Sequence, residues 1–153
     1  MKPIALVLLT AALALPAGDP AGFYMWKSAE LKSFAKTLSP KIDAAKVASQ
    51  QIAANGNYLF LMAHREGSGV GEWHEKQADI IVVESGEATF VIGGDLVDGK
   101  TTAPGEMRGP SIKGGVDKKI APGDVITIPP KVAHQMKLAP GKEITYFVVK
   151  VTQ

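Results

Sequence analysis

The chain has no cysteine among its 153 residues. Disulfide bonds, thiolate metal ligands and a cysteine nucleophile are therefore excluded. Aromatic residues make up only 7% and charged residues 21%, against 46% hydrophobic residues, which is typical of a globular chain rather than a disordered one. The formal net charge is only +2, and no basic cluster is interleaved with aromatic residues. We therefore expect no nucleic-acid partner.

The N-terminal residues have the pattern of an export signal. Lys2 precedes an almost entirely apolar run over residues 4–15, and small residues follow it. This pattern predicts a signal peptide over residues 1–17, cleaved after Ala14 or Ala17, and export to the periplasm or the extracellular space. The run is shorter than the ~20 apolar residues that a membrane anchor needs, so we expect no stable membrane anchor. The alternative is a buried N-terminal helix, which the prolines and glycines that follow disfavour.

Residues 22–56 are predicted to form a helical N-terminal segment. Ser28 is a good N-cap, and the apolar residues after it recur at three-to-four spacing, at Leu31, Phe34, Ala35 and Leu38. Ser39 and Pro40 then indicate a stop and the start of a second helix, which residues 55–57 close.

Residues 57–153 predict a β-domain. Short runs rich in Val, Ile and Thr alternate with Gly- and Pro-containing turns, and the candidate strands are 58–63, 79–83, 88–92, 125–128 and 144–151. Ser85 and Gly86 predict a hairpin. The stretch 93–115 predicts an elaborated connection with a weak strand signal at residues 96–97. Together these features predict an all-β domain with a small helical cap.

Four side chains that could hold a metal stand in two short stretches. Glu72 and His74 are two residues apart, so on a strand they face the same way. Asp79 opens the next apolar run, and His134 follows two prolines much later in the chain. In a barrel, alternate residues of each strand face the interior, which would let these four side chains converge.

This spacing resembles the two sequence motifs of the cupin superfamily. The first motif there is a Gly, His-x-His, four residues, a Glu and a later Gly, and here Glu72-x-His74 is followed by four residues, Asp79 and Gly86. The second motif is a Gly, five residues, Pro-x-Gly, two residues and a His, and here Gly123 is followed by five residues, Pro129, Pro130, Lys131, two residues and His134. The spacing matches throughout both motifs, over roughly residues 57–151. In residue type, Glu72 and Asp79 replace the family's His and Glu, and Lys131 replaces its Gly.

The resemblance implies a cupin-type β-barrel, that is, a double-stranded β-helix or jelly roll, preceded by a short helical segment. It also implies a divalent metal ion held by Glu72, His74, Asp79 and His134. Without sulfur ligands this set suits Mn, Fe, Ni or Zn. Glu72 is either the fourth ligand or, displaced from the metal, a catalytic general base.

Two functions remain open at this point. The first is a metal-dependent enzyme of the dioxygenase, isomerase or decarboxylase kind, acting on a small polar molecule. The second is a non-catalytic binding or accessory protein with the same barrel, since one fold serves many activities. Ile80 and Val82 are expected to face away from the barrel interior, and these apolar residues favour a homodimer.

Three neighbouring residues carry expectations of their own. His64, at a strand end, is expected to be a satisfied polar residue outside the site. Arg65 lies on the opposite face of the same strand and is expected to make a surface or interface ion pair, with a clamp for a substrate carboxylate as the alternative. Met136 follows His134 by two residues and is expected to line the pocket.

Overall fold

The computed structural model describes residues 18–153. The predicted signal peptide, residues 1–17, lies outside the described residues. One α-helix, α1, spans Ser28–Leu38, as the apolar spacing predicts. Leu38 is fully buried and packs with Ala48 and Met62 in a small core between the helix and the sheet beneath it.

The predicted second helix is wrong. Residues Ser39–Lys41 form a single 3₁₀ turn, and the chain then enters strand β1, Val47–Asn55. Residues 55–57 turn this strand into the next one instead of closing a helix. The sheet therefore begins ten residues earlier than the predicted start of the β-region.

Thirteen strands follow the helix within the described residues. Their bounds are β1 Val47–Asn55, β2 Tyr58–Arg65, β3 Gly71–His74, β4 Gln77–Gly86, β5 Ala88–Ile92, β6 Asp95–Val97, β7 Lys100–Ala103, β8 Glu106–Gly109, β9 Ser111–Lys113, β10 Val116–Ile120, β11 Val125–Ile128, β12 His134–Lys137 and β13 Ile144–Thr152.

The strands form two main antiparallel sheets. The first has the order β1-β2-β13-β4-β11, and the second has the order β10-β5-β12-β3-β8-β7. A short ribbon of β6 and β9 accompanies them. The main core lies between the two large sheets and includes Ile81, Phe90, Met136 and Val148. This is the predicted jelly-roll barrel with one short helix outside it.

The predicted hairpin at Ser85 and Gly86 is wrong, because β4 and β5 belong to different sheets. The chain turns a corner there, and Gly86 has a φ of 79°. A Cβ on Gly86 would overlap the carbonyl oxygen of Glu143, so this corner requires glycine both for its backbone angle and for space.

The connection 93–115 contains four short strands, β6 to β9, where a single weak strand signal is predicted. Strand β8 pairs with β3 and widens the second sheet beside the motif residues. Through this pairing, the connection contributes side chains to the barrel interior, as described below.

The outer face of the first sheet is covered by the described part of the chain that precedes β1, which we call the N-terminal segment from here on. Helix α1 packs on β2, β13 and β4, and Trp26 lies 5.4 Å from Phe60 and 5.6 Å from Phe147, measured between ring centroids. Across the described residues, no helix combines the length and apolarity needed to cross a membrane.

Candidate metal and ligand site

The two sheets supply different halves of one polar cluster inside the barrel. Strand β3 carries Glu72 and His74, and His134 of β12 lies directly opposite Glu72 in the same sheet. The facing sheet carries Asp79 on β4, with Lys150 of β13 directly opposite it. His74, Asp79 and His134 are 3–5% exposed. The four predicted site residues therefore meet, although Asp79 comes from the opposite sheet rather than from a strand next to β3.

The nitrogen and oxygen atoms of this cluster converge closely. His74 Nε2 lies 3.5 Å from Asp79 Oδ2 and 3.8 Å from Glu72 Oε2. His134 Nε2 lies 3.8 Å from Asp79 Oδ2. Glu72, His74 and His134 each offer one ligand atom within 4.8 Å of the other two. Ligand atoms bound about 2.1 Å from one tetrahedral ion are about 3.4 Å apart, so these separations need only small side-chain adjustments to accept a metal.

Both imidazoles are oriented through their Nδ1 atoms. His74 Nδ1 lies 2.6 Å from Glu106 Oε2, and His134 Nδ1 lies 3.2 Å from the carbonyl oxygen of Val132. Because these partners accept hydrogen bonds, they favour the tautomer that carries the proton on Nδ1 in each ring, and this tautomer directs the Nε2 lone pair into the cluster. A carboxylate behind a histidine is the usual second partner of a metal-binding imidazole. The residues present therefore fit a divalent metal.

Burial keeps His134 neutral. Desolvation lowers its pKa, and this effect outweighs the charges of Glu72 and Asp79, which raise it. A neutral ring is the form that binds metal, so the histidine is ready for a ligand role near neutral pH.

Asp79 is engaged by Lys150, which lies outside both sequence motifs and is not among the predicted site residues. Lys150 Nζ donates to both oxygens of Asp79, at 2.9 and 2.8 Å, and lies 3.4 Å from His74 Nε2. Burial raises the pKa of Asp79, but the contact with His74 and the charge of Lys150 outweigh it, so the pKa is lowered overall. Asp79 therefore forms an ion pair at the edge of the cluster.

Arg65 lies in the barrel interior, so the expected surface or interface ion pair is wrong. Its Nε donates to the hydroxyl of Tyr146 at 3.0 Å, and its Nη2 lies 3.6 Å from Glu72 Oε1. The guanidinium rests against Gly69, where a Cβ would lie only 2.8 Å from Nη1. Burial lowers the pKa of Arg65, but its interactions with Tyr146 and Glu72 outweigh that effect and raise the pKa overall. Arg65 is therefore a fixed cation beside Glu72.

The connection between the two motifs adds two further charges. On β8, Glu106 lies opposite His74 and Arg108 lies opposite Glu72. Arg108 donates to Glu106 at 3.0 Å, and its Nη2 lies 3.4 Å from Glu72 Oε2. Neither residue is predicted from the sequence, since nothing in that stretch indicates that β8 pairs with β3.

A cavity of about 220 Å³ opens beside the cluster. Its lining combines Arg65, Glu72 and Lys150 with apolar side chains such as Phe90, and it includes Met136, which confirms the predicted lining role of that methionine. The volume lies below the ~300–1,000 Å³ of clefts that hold drug-sized ligands, so it suits a small molecule.

His64 lies outside this cavity, as expected. It belongs to the outer face of the first sheet and is 1% exposed. Its Nδ1 lies 2.8 Å from Thr145 Oγ1, whereas its Nε2 has no hydrogen-bond partner within the described part of the chain. The expectation of a fully satisfied side chain is therefore wrong.

Comparisons with known proteins identify the fold. No family model and no curated protein matches the sequence. Among solved structures, the chain is similar to a cupin-2 domain from Rhodospirillum rubrum (14% identity, TM-score 0.52, 71% of this chain and 61% of that chain). It is also similar to a protein with a double-stranded β-helix domain from Klebsiella pneumoniae (15%, 0.51, 72% and 80%) and to the polyketide cyclase RemF from Streptomyces resistomycificus (16%, 0.51, 71% and 66%).

These similarities show a cupin fold, as the two motifs predict. At such low identity they establish the fold alone. The chain also spans less than two thirds of the length of the Rhodospirillum domain protein.

Proposed function

We propose that this cupin-fold protein binds a divalent metal ion through Glu72, His74 and His134 and holds a small anionic molecule beside it. One observation carries the proposal: the Nε2 atoms of two buried imidazoles converge with carboxylate oxygens at 3.5–3.8 Å. Acceptor atoms packed this closely favour a cation among them: Lys150 supplies one on the Asp79 side, and a metal ion would supply one between Glu72 and the two imidazoles. Mn, Fe, Ni or Zn suits two imidazoles and a carboxylate.

In this proposal Glu72 is a ligand, and Asp79 is not part of the primary set. Glu72 shares the three-residue group with both histidines, whereas both oxygens of Asp79 accept hydrogen bonds from Lys150. A metal held by two histidines and one carboxylate would have open coordination positions, at which water or a ligand could bind.

The charge balance favours an anionic ligand. Three carboxylates and three basic side chains lie in and around the cluster, so their charges cancel while the imidazoles are neutral. The carboxylates are Glu72, Asp79 and Glu106, and the basic residues are Arg65, Arg108 and Lys150. A bound divalent cation would leave the site positive. Together with the small cavity, this favours a small carboxylate as the ligand.

The chemistry follows from these positions. A bound divalent ion would act as a Lewis acid toward an oxygen of the ligand. The Arg65 side chain makes one hydrogen bond with the described residues, from Nε to Tyr146. Its Nη1 and Nη2 groups can therefore donate two hydrogen bonds to one carboxylate. Lys150 Nζ, held by both oxygens of Asp79, places a positive charge beside His74.

The metal is tested by elemental analysis of mature protein purified from its own host, followed by titration of the metal-free protein with Mn, Fe, Ni and Zn. We expect Glu72→Ala and His134→Ala to weaken binding at the barrel site at least tenfold. Glu75→Ala, which removes an exposed carboxylate of the next turn, is the matched control and should bind like wild type. A wild-type protein that retains no metal after desalting would refute the proposal.

The ligand is tested with a panel of small carboxylates and their neutral amides, added to metal-loaded and metal-free protein. We expect carboxylates to bind only the loaded form and Arg65→Met to lose this binding while retaining metal. Monitoring the same mixtures by NMR separates the two open functions. Product formation indicates an enzyme, and binding without product indicates a non-catalytic ligand-binding protein.

We also propose that the protein acts outside the cytoplasm, on the basis of the signal-peptide pattern over residues 1–17. N-terminal sequencing of the protein from fractionated host cells tests this. The expected new N-terminus follows Ala14 or Ala17, and recovery of intact Met1 in the cytoplasmic fraction would contradict it.

A further inference from the structure

A second group of metal-binding side chains lies on the outer face of the first sheet, away from the barrel cavity. His64 is near the end of β2, Glu66 follows that strand, and Glu143 immediately precedes β13, which pairs with β2. His64 Nε2 lies 3.5 Å from Glu66 Oε1 and 4.0 Å from Glu143 Oε2. All three ligand atoms lie within 4.8 Å of one another.

The buried imidazole points into this group without a partner. His64 is 1% exposed, and its Nε2 makes no hydrogen bond within residues 18–153. The distance to Glu66 exceeds the 2.7–3.2 Å of an N–H···O hydrogen bond, so an ordinary histidine–carboxylate bond does not account for the arrangement. A buried polar atom that lacks a partner costs free energy, and it therefore needs an explanation.

The groups around this cluster hold it in a form ready for a cation. Thr145 Oγ1 lies 2.8 Å from Nδ1 of His64 and can accept a hydrogen bond from an Nδ1–H group, and in that tautomer the Nε2 lone pair faces the two carboxylates. Ser39 donates to Glu66 Oε1 at 2.6 Å. Metal-binding imidazoles and carboxylates are commonly fixed by such outer hydrogen bonds.

We propose that His64, Glu66 and Glu143 form a second divalent-metal site, best suited to Zn²⁺. One imidazole and two carboxylates are competent zinc ligands, and the exposed side of the cluster leaves room for water in the fourth position. The two glutamates are exposed, which lets them shorten the present distances by rotation.

The proposed site joins three elements. Glu66 directly follows β2, and Glu143 directly precedes β13. Ser39, which donates to Glu66, directly follows helix α1. Zinc bound there would tie the C-terminal end of α1 to the sheet, so its expected effect is on stability. The site is independent of the barrel site, because it shares no residue with it.

The experiment titrates the full mature chain with Zn²⁺ by calorimetry, in a His74→Ala/His134→Ala background that removes the barrel ligands. We expect one zinc equivalent to remain. Glu66→Gln combined with Glu143→Gln should weaken its binding at least tenfold, and zinc should no longer raise the melting temperature. Glu30→Gln combined with Glu75→Gln replaces two exposed glutamates elsewhere and should change neither result.

A second readout follows the ring of His64 directly. In a ¹⁵N-labelled sample of the same background, we expect zinc to shift the Nε2 resonance of His64 and to leave its Nδ1 resonance close to that of the metal-free protein. A background protein that binds no zinc equivalent would overturn the proposal, and so would one whose affinity survives both glutamine substitutions. Metal binding at the barrel is measured separately, in protein that carries Glu66→Gln and Glu143→Gln but keeps His74 and His134. The failure of one proposed site therefore does not decide the other.

Discussion

Lys150 is the residue whose replacement should change metal binding in the barrel most specifically. Its ammonium group lies 2.8 Å from Asp79 Oδ2 and 3.4 Å from His74 Nε2, where it competes with a metal for the same acceptor atoms. We expect Lys150→Met to tighten metal binding about tenfold, equivalent to about 1.4 kcal/mol. Lys118→Met, on an exposed position of β10, is the control. Calorimetric titration of both variants with Zn²⁺ measures the change, and unchanged or weaker affinity in Lys150→Met would contradict it.

The residues of the barrel site differ in how far the sequence could predict them. Glu72, His74, Asp79 and His134 follow from motif spacing, because spacing along a strand fixes which side chains face the interior. Lys150 could be placed on the interior face of β13 by its alternation with Tyr146, but its contact with Asp79 depends on which strands pair. That pairing is a long-range property that no local pattern encodes.

Lys131 occupies the position of a motif glycine and has a positive φ of 66°, a backbone conformation that glycine adopts most readily. A side chain in this region costs about 1 kcal/mol. The strained position persists because the backbone N–H of Lys131 donates to the carbonyl oxygen of His74 at 2.7 Å. We expect Lys131→Gly to raise the free energy of unfolding by about 0.5–1 kcal/mol, measured with urea. Lys118→Gly, in an extended strand, should lower it instead.

At the scale of elements, strand β1 shows why the predicted second helix failed. Its Ala and Gln residues favour helices in isolation, and a register shift between Gln51 and Ala53 breaks the two-residue alternation that marks a strand. Pairing with β2 overrides these local preferences. Strand β13, in contrast, is rich in β-branched and aromatic residues, and there local preference and pairing agree.

Glu84 lies on β4, on which α1 packs, and its burial there makes the stability of the protein depend on pH. Burial raises the pKa of Glu84, and the charge of Lys32 on the helix only partly opposes this. The pKa of Glu84 is higher in the folded state than in the unfolded state. Ionisation of Glu84 therefore lowers the free energy of unfolding at pH values above the folded-state pKa, and it has no effect at pH values below the unfolded-state pKa. We expect Glu84→Gln to stabilise the protein at pH 7 and to have no effect at pH 3, measured by urea denaturation at both values.

Glu87 provides a control of opposite sign. Its hydrogen bond from Lys142, at 3.0 Å, lowers its pKa, so its small stabilising contribution is present above the ordinary pKa and is lost as the pH falls through the folded-state value. Glu87→Gln should therefore destabilise slightly at pH 7. Equal behaviour of the two glutamine variants at pH 7 would contradict the assignment.

At the scale of the whole molecule, the N-terminal segment reduces the surface that is free for self-association. Helix α1 packs on β4, which carries Ile80 and Val82, the residues on which the expected homodimer was based. Large apolar side chains remain exposed nearby on Phe23, Met25 and Tyr58, at 46–63%. The homodimer stays a prediction, which light scattering of the mature protein checks.

The same packing predicts that the N-terminal segment and the barrel unfold together. Leu38 is fully buried against Ala48 and Met62, so Leu38→Ala should cost about 3 kcal/mol. Trp26 reports on the segment and Trp73 on the barrel, and single-tryptophan variants made by Trp→Phe substitution let each be followed alone. We expect Leu38→Ala to lower both fluorescence transitions by the same amount. A shift confined to Trp26 would mean that the segment docks as a separate unit, because a cooperative domain has one transition for every probe.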